Sequence, residues 1–368
     1  MYQARNPERR SASTEAAKAL ARAALLVLFA GRHPAAGAEI IDQRGEITRL
    51  DRPAERAVFL PMPAPAMFIA VDGTDRHVVA MNPSSKAAMR EGLLGALFPH
   101  MRDVPTDVVL GSGFVPNIEA ILALDPDAVF QWANIGPDAL APLKQAGLPI
   151  FGMLNGTDQD LAGAIAMMGN VTGKSARADI IIRRQRERQG SIEAALAGLA
   201  DKDRPRVLYF GRFREEFVVA GPASYNDFVI RLAGGRNVVT PQAARSVTLE
   251  QVLAWNPEVI LLGNFDPATP ADVYRDPRFA EVAAVKARRV YRMPLGGYRW
   301  DPPSQESALA WTWLLAILQP DKAVADLRSD MRAWYRLLYA HELTDDEIDG
   351  ILFVKENAQS AGYARFDR

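Results

Sequence analysis

Short apolar runs that end at prolines or polar residues recur along the chain and predict buried strands. Runs of this length, bounded by turn residues, are typical of strands covered on both faces. Between them, apolar residues recur at helical spacing, most extensively from about residue 158 to residue 199. The alternation of strands and helices indicates an α/β fold. The clearest strand runs lie at residues 56–60, 77–81, 206–210 and 290–293.

An internal repeat relates the two halves of this pattern. Residues 117–130 predict a short helix, a proline turn and a strand, and residues 248–261 match them position by position. Both copies carry a capping residue, a glutamate, a Leu-Ala pair, and Asp or Asn followed by proline and an acid. A shared pattern of this length predicts two similar α/β lobes.

The N-terminus has the layout of a secretory signal peptide. Arginines at positions 5, 9 and 10 precede an apolar run at residues 23–30, and Ala36-Gly37-Ala38 offers a cleavage site. The run is too short to span a bilayer. The sequence therefore predicts a signal peptide over residues 1–38 and a periplasmic mature protein. An amphipathic N-terminal helix is the alternative, and Arg9-Arg10 leaves the choice between general and twin-arginine export open.

Composition narrows the classes of function. The chain has 368 residues, enough for about two domains. Its 43 basic and 44 acidic residues leave a net charge of -1, so nothing predicts binding to nucleic acid, which requires clustered positive charge. The absence of cysteine excludes disulfides, thiolate metal sites and cysteine nucleophiles. The four histidines have no metal-binding spacing, and no metal ligand is predicted.

Catalytic motifs are incomplete. Gly111-Ser112-Gly113 begins a dinucleotide fingerprint, but Pro116 stands at its third glycine. Residues 172–175 resemble the end of a P-loop, yet position 168 is methionine. No nucleophile elbow occurs. We predict no catalytic residue and no cofactor, although a two-carboxylate enzyme stays possible because carboxylates are plentiful.

With these motifs the chain resembles the periplasmic binding proteins for iron-siderophore, haem and cobalamin uptake. The resemblance covers roughly residues 56–320. It rests on the signal peptide, the repeated helix-Pro-strand element, the Gly-Asn-Val-Thr-Gly segment at 169–173, and the segment 225–235 that ends in Gly-Gly.

The resemblance implies two Rossmann-like α/β lobes joined by a single long helix, with the ligand in the cleft between them. The implied divisions are a signal peptide at 1–38, an N-terminal lobe at 39–156, an inter-lobe helix at 157–200, a C-terminal lobe at 201–320 and a C-terminal helical extension at 321–368.

The function that the resemblance implies is capture of a metal chelate, first of all a ferric siderophore, and its delivery to an ABC permease dimer with ATPase subunits. Haem or cobalamin is the alternative ligand. A monomer is expected, touching the membrane only through the permease. Alternatives of another class are a periplasmic metal-dependent enzyme, a nitrogenase-like oxidoreductase, which the lack of cysteine disfavours, and a sensor module.

The resemblance also assigns roles to residues. One glutamate in each lobe docks on the permease, and the repeat places these at Glu119 and Glu250; capping of their helices is the alternative role. Loops after the strands are expected to contact ligand, because aromatic rings stack on flat ligands and arginines bind anionic oxygens. Packing in the core is the alternative role for Trp132 and Trp300. Helix capping is the alternative for Arg299, and a position on a solvated edge is the alternative for Arg212 and Arg214. The predicted ligand-binding residues are Met62, Lys86, Trp132, Arg212, Arg214, Tyr225, Arg245, Tyr298, Arg299 and Trp300.

Overall fold

The computed structural model describes residues 37–111, 114–154, 156–241 and 245–367. The predicted signal peptide therefore lies outside the described residues except for its last two positions. Within the described ranges, no helix has both the length and the apolar character needed to cross a membrane.

The N-terminal lobe is built on a parallel four-stranded sheet of order β4-β3-β7-β8. Its strands are fully buried or nearly so, as expected where helices cover both faces of a sheet. Two antiparallel hairpins, β1–β2 and β5–β6, flank it. The strands are β1 (Ala38–Ile41), β2 (Ile47–Leu50), β3 (Ala57–Phe59), β4 (Val78–Met81), β5 (Val109–Leu110), β6 (Val115–Pro116), β7 (Ala128–Trp132) and β8 (Ile150–Met153). The helices are α1 (Ala64–Asp72), α2 (Pro83–Glu91), α3 (Leu94–Leu97), α4 (Ile118–Ala123) and α5 (Pro137–Gln145).

The C-terminal lobe repeats this plan around a mixed sheet of order β12-β10-β9-β13-β14, in which β11 also pairs with β9. The pairs of β13 with β9 and with β14 are parallel, and β10 is antiparallel to β9 and β12. Its strands are β9 (Arg206–Arg212), β10 (Phe217–Val219), β11 (Arg236–Asn237), β12 (Ser246–Val247), β13 (Val259–Leu262) and β14 (Val290–Arg292). Its helices are α8 (Tyr225–Leu232), α9 (Leu249–Trp255), α10 (Pro270–Arg275), α11 (Ala283–Lys286) and α12 (Ser307–Leu318).

The predicted inter-lobe helix is divided into α6 (Asp158–Val171) and α7 (Ser175–Ala195). Gly173 adopts a φ of +68° between them, a left-handed conformation that ends α6 and that other residues adopt at a cost. α6 packs against α1 of the N-terminal lobe, whereas α7 packs against α8 and α12 of the C-terminal lobe. The stretch predicted as one inter-lobe helix at 157–200 therefore contains two helices, and the division of the chain into lobes and linker stays a prediction.

The C-terminal extension folds back over both lobes as α13 (Leu327–Tyr339) and α14 (Asp345–Ile351), followed by a 3₁₀ turn at Tyr363–Phe366. α13 contacts α1 and α12. Farther along, the buried Asn357 side chain bonds both the backbone N–H and the carbonyl of Arg292 on β14. The extension thereby covers the free edge of the C-terminal sheet, which would otherwise expose unpaired backbone groups.

The sequence repeat corresponds to a structural repeat, α4–β7 in one lobe and α9–β13 in the other. The turn residues Asp125 and Asn256 both have positive φ, 44° and 42°. Asp and Asn tolerate this conformation better than most residues, which explains their place before the proline. The next acids also correspond: Asp127 accepts from the backbone of Arg56 before β3, and Glu258 from the backbone of Arg206 on β9.

Candidate functional site

The candidate site lies where the carboxyl ends of the parallel strands in each lobe carry their loops. In open α/β sheets, ligands bind outside these ends. In the N-terminal lobe, the loops after β3 and β4 are fixed to each other, because Ser85 Oγ donates to Met62 O at 2.6 Å and Asn82 Nδ2 donates to Leu60 O at 3.1 Å. This wall of the cleft is therefore rigid at its base.

In the C-terminal lobe, one buried carboxylate joins the loops after β13 and β14 to a side chain of β9. Asp301 Oδ2 accepts from the Tyr209 hydroxyl on β9 and from the backbone N–H of Asn264 after β13, both at 2.9 Å. Burial raises the pKa of Asp301 against the effect of these donors and of Arg299. The carboxylate thus fixes the chain after β14 to the middle of β9 and to the end of β13.

Several polar atoms near this carboxylate are buried without a hydrogen-bond partner among the described residues. They are Asp301 Oδ1, Asn264 Oδ1, Arg299 Nε and the Tyr298 hydroxyl. Burial also raises the pKa of the Tyr298 hydroxyl, which keeps it protonated. Because such atoms are costly to leave unpaired, the floor of this lobe has unused capacity to donate and accept hydrogen bonds.

Arginines dominate the rim of the same lobe. Arg212, Arg214 and Arg245 are exposed. Arg212 forms an ion pair with Glu216 at 3.3 Å and Arg214 with Asp272 at 3.2 Å. The Arg245 side chain forms no ion pair with a described residue, and its charge acts on Tyr209 at the cleft floor. Two of these guanidinium groups are therefore paired with carboxylates, and that of Arg245 has no ion-pair partner among the described residues.

The two lobes touch through the loop after β14. The N–H of Leu93 donates to Gly296 O at 2.9 Å, and a Cβ on Gly92 would lie 2.4 Å from the same oxygen. Arg299 reaches Glu91 of the N-terminal lobe at 3.4 Å. A pocket of about 400 Å³ opens at this contact, and its lining residues are Arg90, Gly92, Gly95, Ala96 and Arg102.

Known proteins are similar to this chain in sequence and in fold. A family model described as periplasmic binding protein matches residues 80–295, more than half of the chain. The chain belongs to the periplasmic binding protein family. The resemblance predicted from the sequence is therefore confirmed, as is the fold of two α/β lobes around a cleft.

Relatives of known name bind different solutes. The molybdate-binding protein MolA of Haemophilus influenzae is 25% identical over 82% of this chain and 90% of its own length. A cobalamin-binding protein of Halobacterium salinarum is 27% identical over 57% of this chain and 60% of its own length.

Solved structures agree on the fold. A periplasmic solute binding protein from Veillonella parvula superposes with a TM-score of 0.80 and 30% identity, covering 88% of this chain and 98% of that protein. Molybdate-bound MolA superposes with a TM-score of 0.73 at 23% identity, covering 83% and 99%. The family's members are solute-binding proteins, and this chain is a periplasmic binding protein of ABC import. The identity of its solute stays a prediction.

Within this periplasmic binding protein, the rings of three predicted ligand residues, Tyr225, Tyr298 and Trp300, are buried in the C-terminal lobe. The Tyr225 hydroxyl donates to Ser307 Oγ at 2.7 Å and accepts from Trp311 Nε1. Trp300 Nε1 donates to Glu306 at 2.7 Å, and Tyr298 is fully buried. Protein atoms surround these rings, which argues against their stacking on ligand, whereas the Tyr298 hydroxyl has no partner among the described residues.

The other predicted ligand residues differ in exposure. Trp132 is 8% exposed and packs edge-on against Phe114, directly before β6, so its ring is mostly core. Met62 is half-buried, and the half-buried Lys86 donates its ammonium to Val104 O at 2.8 Å. Arg299 is 8% exposed and lies over the Phe265 ring, 4.6 Å from its centroid. It holds the lobe contact and caps no helix.

Sequence reasoning missed a buried carboxylate that supports the loop after β14. Glu306 accepts hydrogen bonds from Trp300, from the backbone of Gly297 and from the hydroxyls of Tyr335 and Tyr339. The two tyrosines belong to α13, so the C-terminal extension fixes this loop. Burial raises the pKa of Glu306 against the effect of its donors. The only signal in the sequence is an acid inside an otherwise apolar helix start.

The predicted docking glutamates lie at equivalent places on α4 and α9. Asn117 and Thr248 cap these helices with their side chains, so capping does not depend on the glutamates. Both Glu119 and Glu250 are exposed. The pKa of Glu250 is lowered by hydrogen bonds to its own backbone and to Thr248. Each glutamate begins a helix that runs back from the carboxyl edge of its sheet to the start of the following strand.

Proposed function

We propose that this protein captures an anionic metal chelate, first of all a ferric siderophore, in the periplasm. It then delivers the chelate to a permease dimer with ATPase subunits. The observation that carries the proposal is the set of exposed arginines at the carboxyl edge of the C-terminal sheet, namely Arg212, Arg214 and Arg245. Guanidinium groups bind catecholate and carboxylate oxygens through charge-assisted hydrogen bonds, often in pairs.

The proposed mechanism involves binding and release without chemistry on the ligand. Fixed loops on both walls limit rearrangement, because Ser85 ties one pair of loops and Asp301 ties another. The lobes adjust about α7, and ligand completes the bonding of the polar floor. A prearranged cleft of this kind reduces the ordering cost of binding.

Release depends on docking at Glu119 and Glu250. With one carboxylate on each lobe, a permease that holds both can detect and alter the separation of the lobes. Such exposed charges chiefly accelerate encounter and set orientation. ATP hydrolysis in the partner then drives import.

A second ligand, molybdate, is favoured by one observation. The molybdate-binding protein MolA matches 82% of this chain, more than the cobalamin-binding relative does. A small oxyanion would use the buried donors at the floor, such as Arg299 Nε and the Tyr298 hydroxyl, in preference to the exposed rim. The two ligands therefore depend on different arginines.

Fluorescence and calorimetric titrations test these proposals. The mature protein is titrated with ferric catecholate and hydroxamate siderophores, haem, cobalamin and molybdate. R245Q is compared with R186Q, an exposed arginine of α7 away from the cleft. Saturable siderophore binding that weakens roughly tenfold in R245Q and not in R186Q supports the chelate. If only molybdate binds, and R245Q does not weaken its binding, the ligand is the oxyanion and not the chelate. Absence of binding to all five ligand classes overturns both.

A further inference from the structure

Large apolar side chains are exposed at two matching places on the docking helices. Leu122 of α4 is 47% exposed and Leu253 of α9 is 38% exposed. They occupy the same position of the repeat, and the preceding residues, Ile121 and Val252, are both buried. A single exposed leucine requires no explanation, but the same exposed position in both lobes does.

Each leucine lies beside the docking glutamate of its lobe. Leu122 follows Glu119 by three positions, and Leu253 follows Glu250 by three. Residues three apart on a helix are surface neighbours, about 5–6 Å between Cβ atoms. Each lobe therefore presents a carboxylate and an isobutyl group side by side on one short helix.

We propose that Leu122 and Leu253 form the apolar half of a two-point docking surface for the permease dimer. This inference rests on the proposed function. The partner's chemistry follows from the footprint: on each of two like subunits, a basic recess for the glutamate adjoins an apolar recess for the leucine. Two matching footprints on two matching lobes fit a partner made of two equal subunits.

The N-terminal footprint continues onto the neighbouring hairpin. Leu110 and Val115 are cross-strand partners on β5 and β6, and both are about half exposed. β6 leads directly into α4, so these side chains extend the apolar area on the approach to Glu119. In the C-terminal lobe, β12 leads into α9 in the same way.

The two kinds of side chain make separable contributions. Exposed carboxylates accelerate association, an effect that salt weakens. Desolvated apolar contacts mainly slow dissociation, and most affinity differences within one interface arise there. The leucines are therefore expected to govern the dissociation rate and the glutamates the association rate.

The test measures binding of the full mature chain, without added ligand, to the cognate permease–ATPase complex in nanodiscs by surface plasmon resonance. L122Q/L253Q preserves helix propensity while removing apolar surface. E119Q/E250Q is the charge comparison. I41T/I47T is the matched control, because Ile41 and Ile47 are 64% and 63% exposed and pair across the β1–β2 hairpin. Thermal melting verifies that all variants are folded.

The expected result is a dissociation rate raised roughly tenfold or more in L122Q/L253Q, with its association rate and salt dependence unchanged. E119Q/E250Q associates more slowly and loses salt dependence, and I41T/I47T matches the wild type. If the wild type binds and L122Q/L253Q dissociates at the same rate as the wild type, the inference about the leucines is wrong while the proposed function stands. If the wild type does not bind, the delivery function itself is overturned.

Discussion

At the scale of single residues, buried carboxylates fix the loops that border the cleft. Asp301 joins the loops after β13 and β14 to β9, and Glu306 holds the loop after β14 against α13. Both have raised pKa values because burial penalises the charged form more than their donors favour it. Their ionisation therefore opposes folding as the pH rises.

The hydrogen-bond donors to Glu306 should contribute more to the free energy of unfolding as the pH rises. A carboxyl whose folded pKa exceeds its unfolded value loses stabilisation as pH rises from the unfolded pKa, near 4.5, to the folded one. Tyr335→Phe and Tyr339→Phe each remove a donor to the ionised form. We expect each to lower the free energy of unfolding by about 1.5–3 kcal/mol above the folded pKa of Glu306 and by less below it.

Urea unfolding across this pH range checks the expectation. Tyr363→Phe is the control, because its buried hydroxyl donates to the neutral Leu352 carbonyl, so its cost should not vary with pH. Equal costs at all pH values in Tyr335→Phe and Tyr339→Phe would show that Glu306 is not the group responsible.

Residue-level prediction from sequence was limited by partners that are distant along the chain. The Gly-Gly-Tyr-Arg-Trp segment, predicted to face ligand, lies at the lobe boundary, where Arg299 contacts Glu91. The burial of Trp300 depends on Glu306 and, through it, on tyrosines about thirty positions later in α13. No local pattern reveals such a pairing, so an aromatic loop residue was interpreted as facing ligand.

At the scale of elements, the repeated helix-Pro-strand unit could be predicted from the sequence because the residues that define it are close together along the chain. Capping residues, the Pro turn and the apolar strand follow within fourteen positions, and each has one dominant structural meaning. The break between α6 and α7 was predicted only in part: Gly169 and Gly173 are both candidate break points, and a glycine within a helical pattern is also compatible with continuation. Only the left-handed φ of Gly173 separates the two helices.

The left-handed turn residues allow a paired test of the repeat. Asp125→Ala and Asn256→Ala should each lower the free energy of unfolding by about 1 kcal/mol, because a positive φ is less favourable for alanine than for aspartate or asparagine. Asn256→Ala should cost more, since Asn256 Oδ1 also accepts from the N–H of Ala283 at 2.8 Å. Chemical denaturation measures both. Asp125→Gly is the control, because glycine adopts positive φ readily. If Asp125→Gly loses as much stability as Asp125→Ala, backbone conformation is not the reason for the loss.

At the scale of the whole molecule, two structures that the sequence pattern does not predict connect the lobes. One is the C-terminal extension, which contacts α1 of the N-terminal lobe and the edge strand β14 of the other. The other is the backbone hydrogen bond from Leu93 to Gly296, beside which Gly92 packs closely. Family resemblance predicted two lobes and a cleft, but the distance between the lobes depends on contacts made after both have folded.

Adding one methyl group at the lobe contact should change that distance. In Gly92→Ala the new Cβ would lie 2.4 Å from Gly296 O, and because that atom belongs to the backbone, the chain must move. Since the chain lacks cysteine, spin labels on A123C and A254C, which are exposed and equivalent in the repeat, report the separation directly. We expect Gly92→Ala to shift or broaden the measured distance.

The control for this experiment is Gly190→Ala in α7, where an added Cβ meets nothing within 4 Å. Alanine there should leave the distance unchanged and raise stability by roughly 0.5–1 kcal/mol, as expected in a helix interior. If Gly92→Ala gives the same distance distribution as Gly190→Ala, the glycine contact does not set the lobe spacing. A shift confined to Gly92→Ala would instead mean that the loop after β14 transmits cleft geometry to the surfaces that carry Glu119 and Glu250. Ligand contacts at Arg299 and docking at the glutamates would then be coupled through one backbone contact.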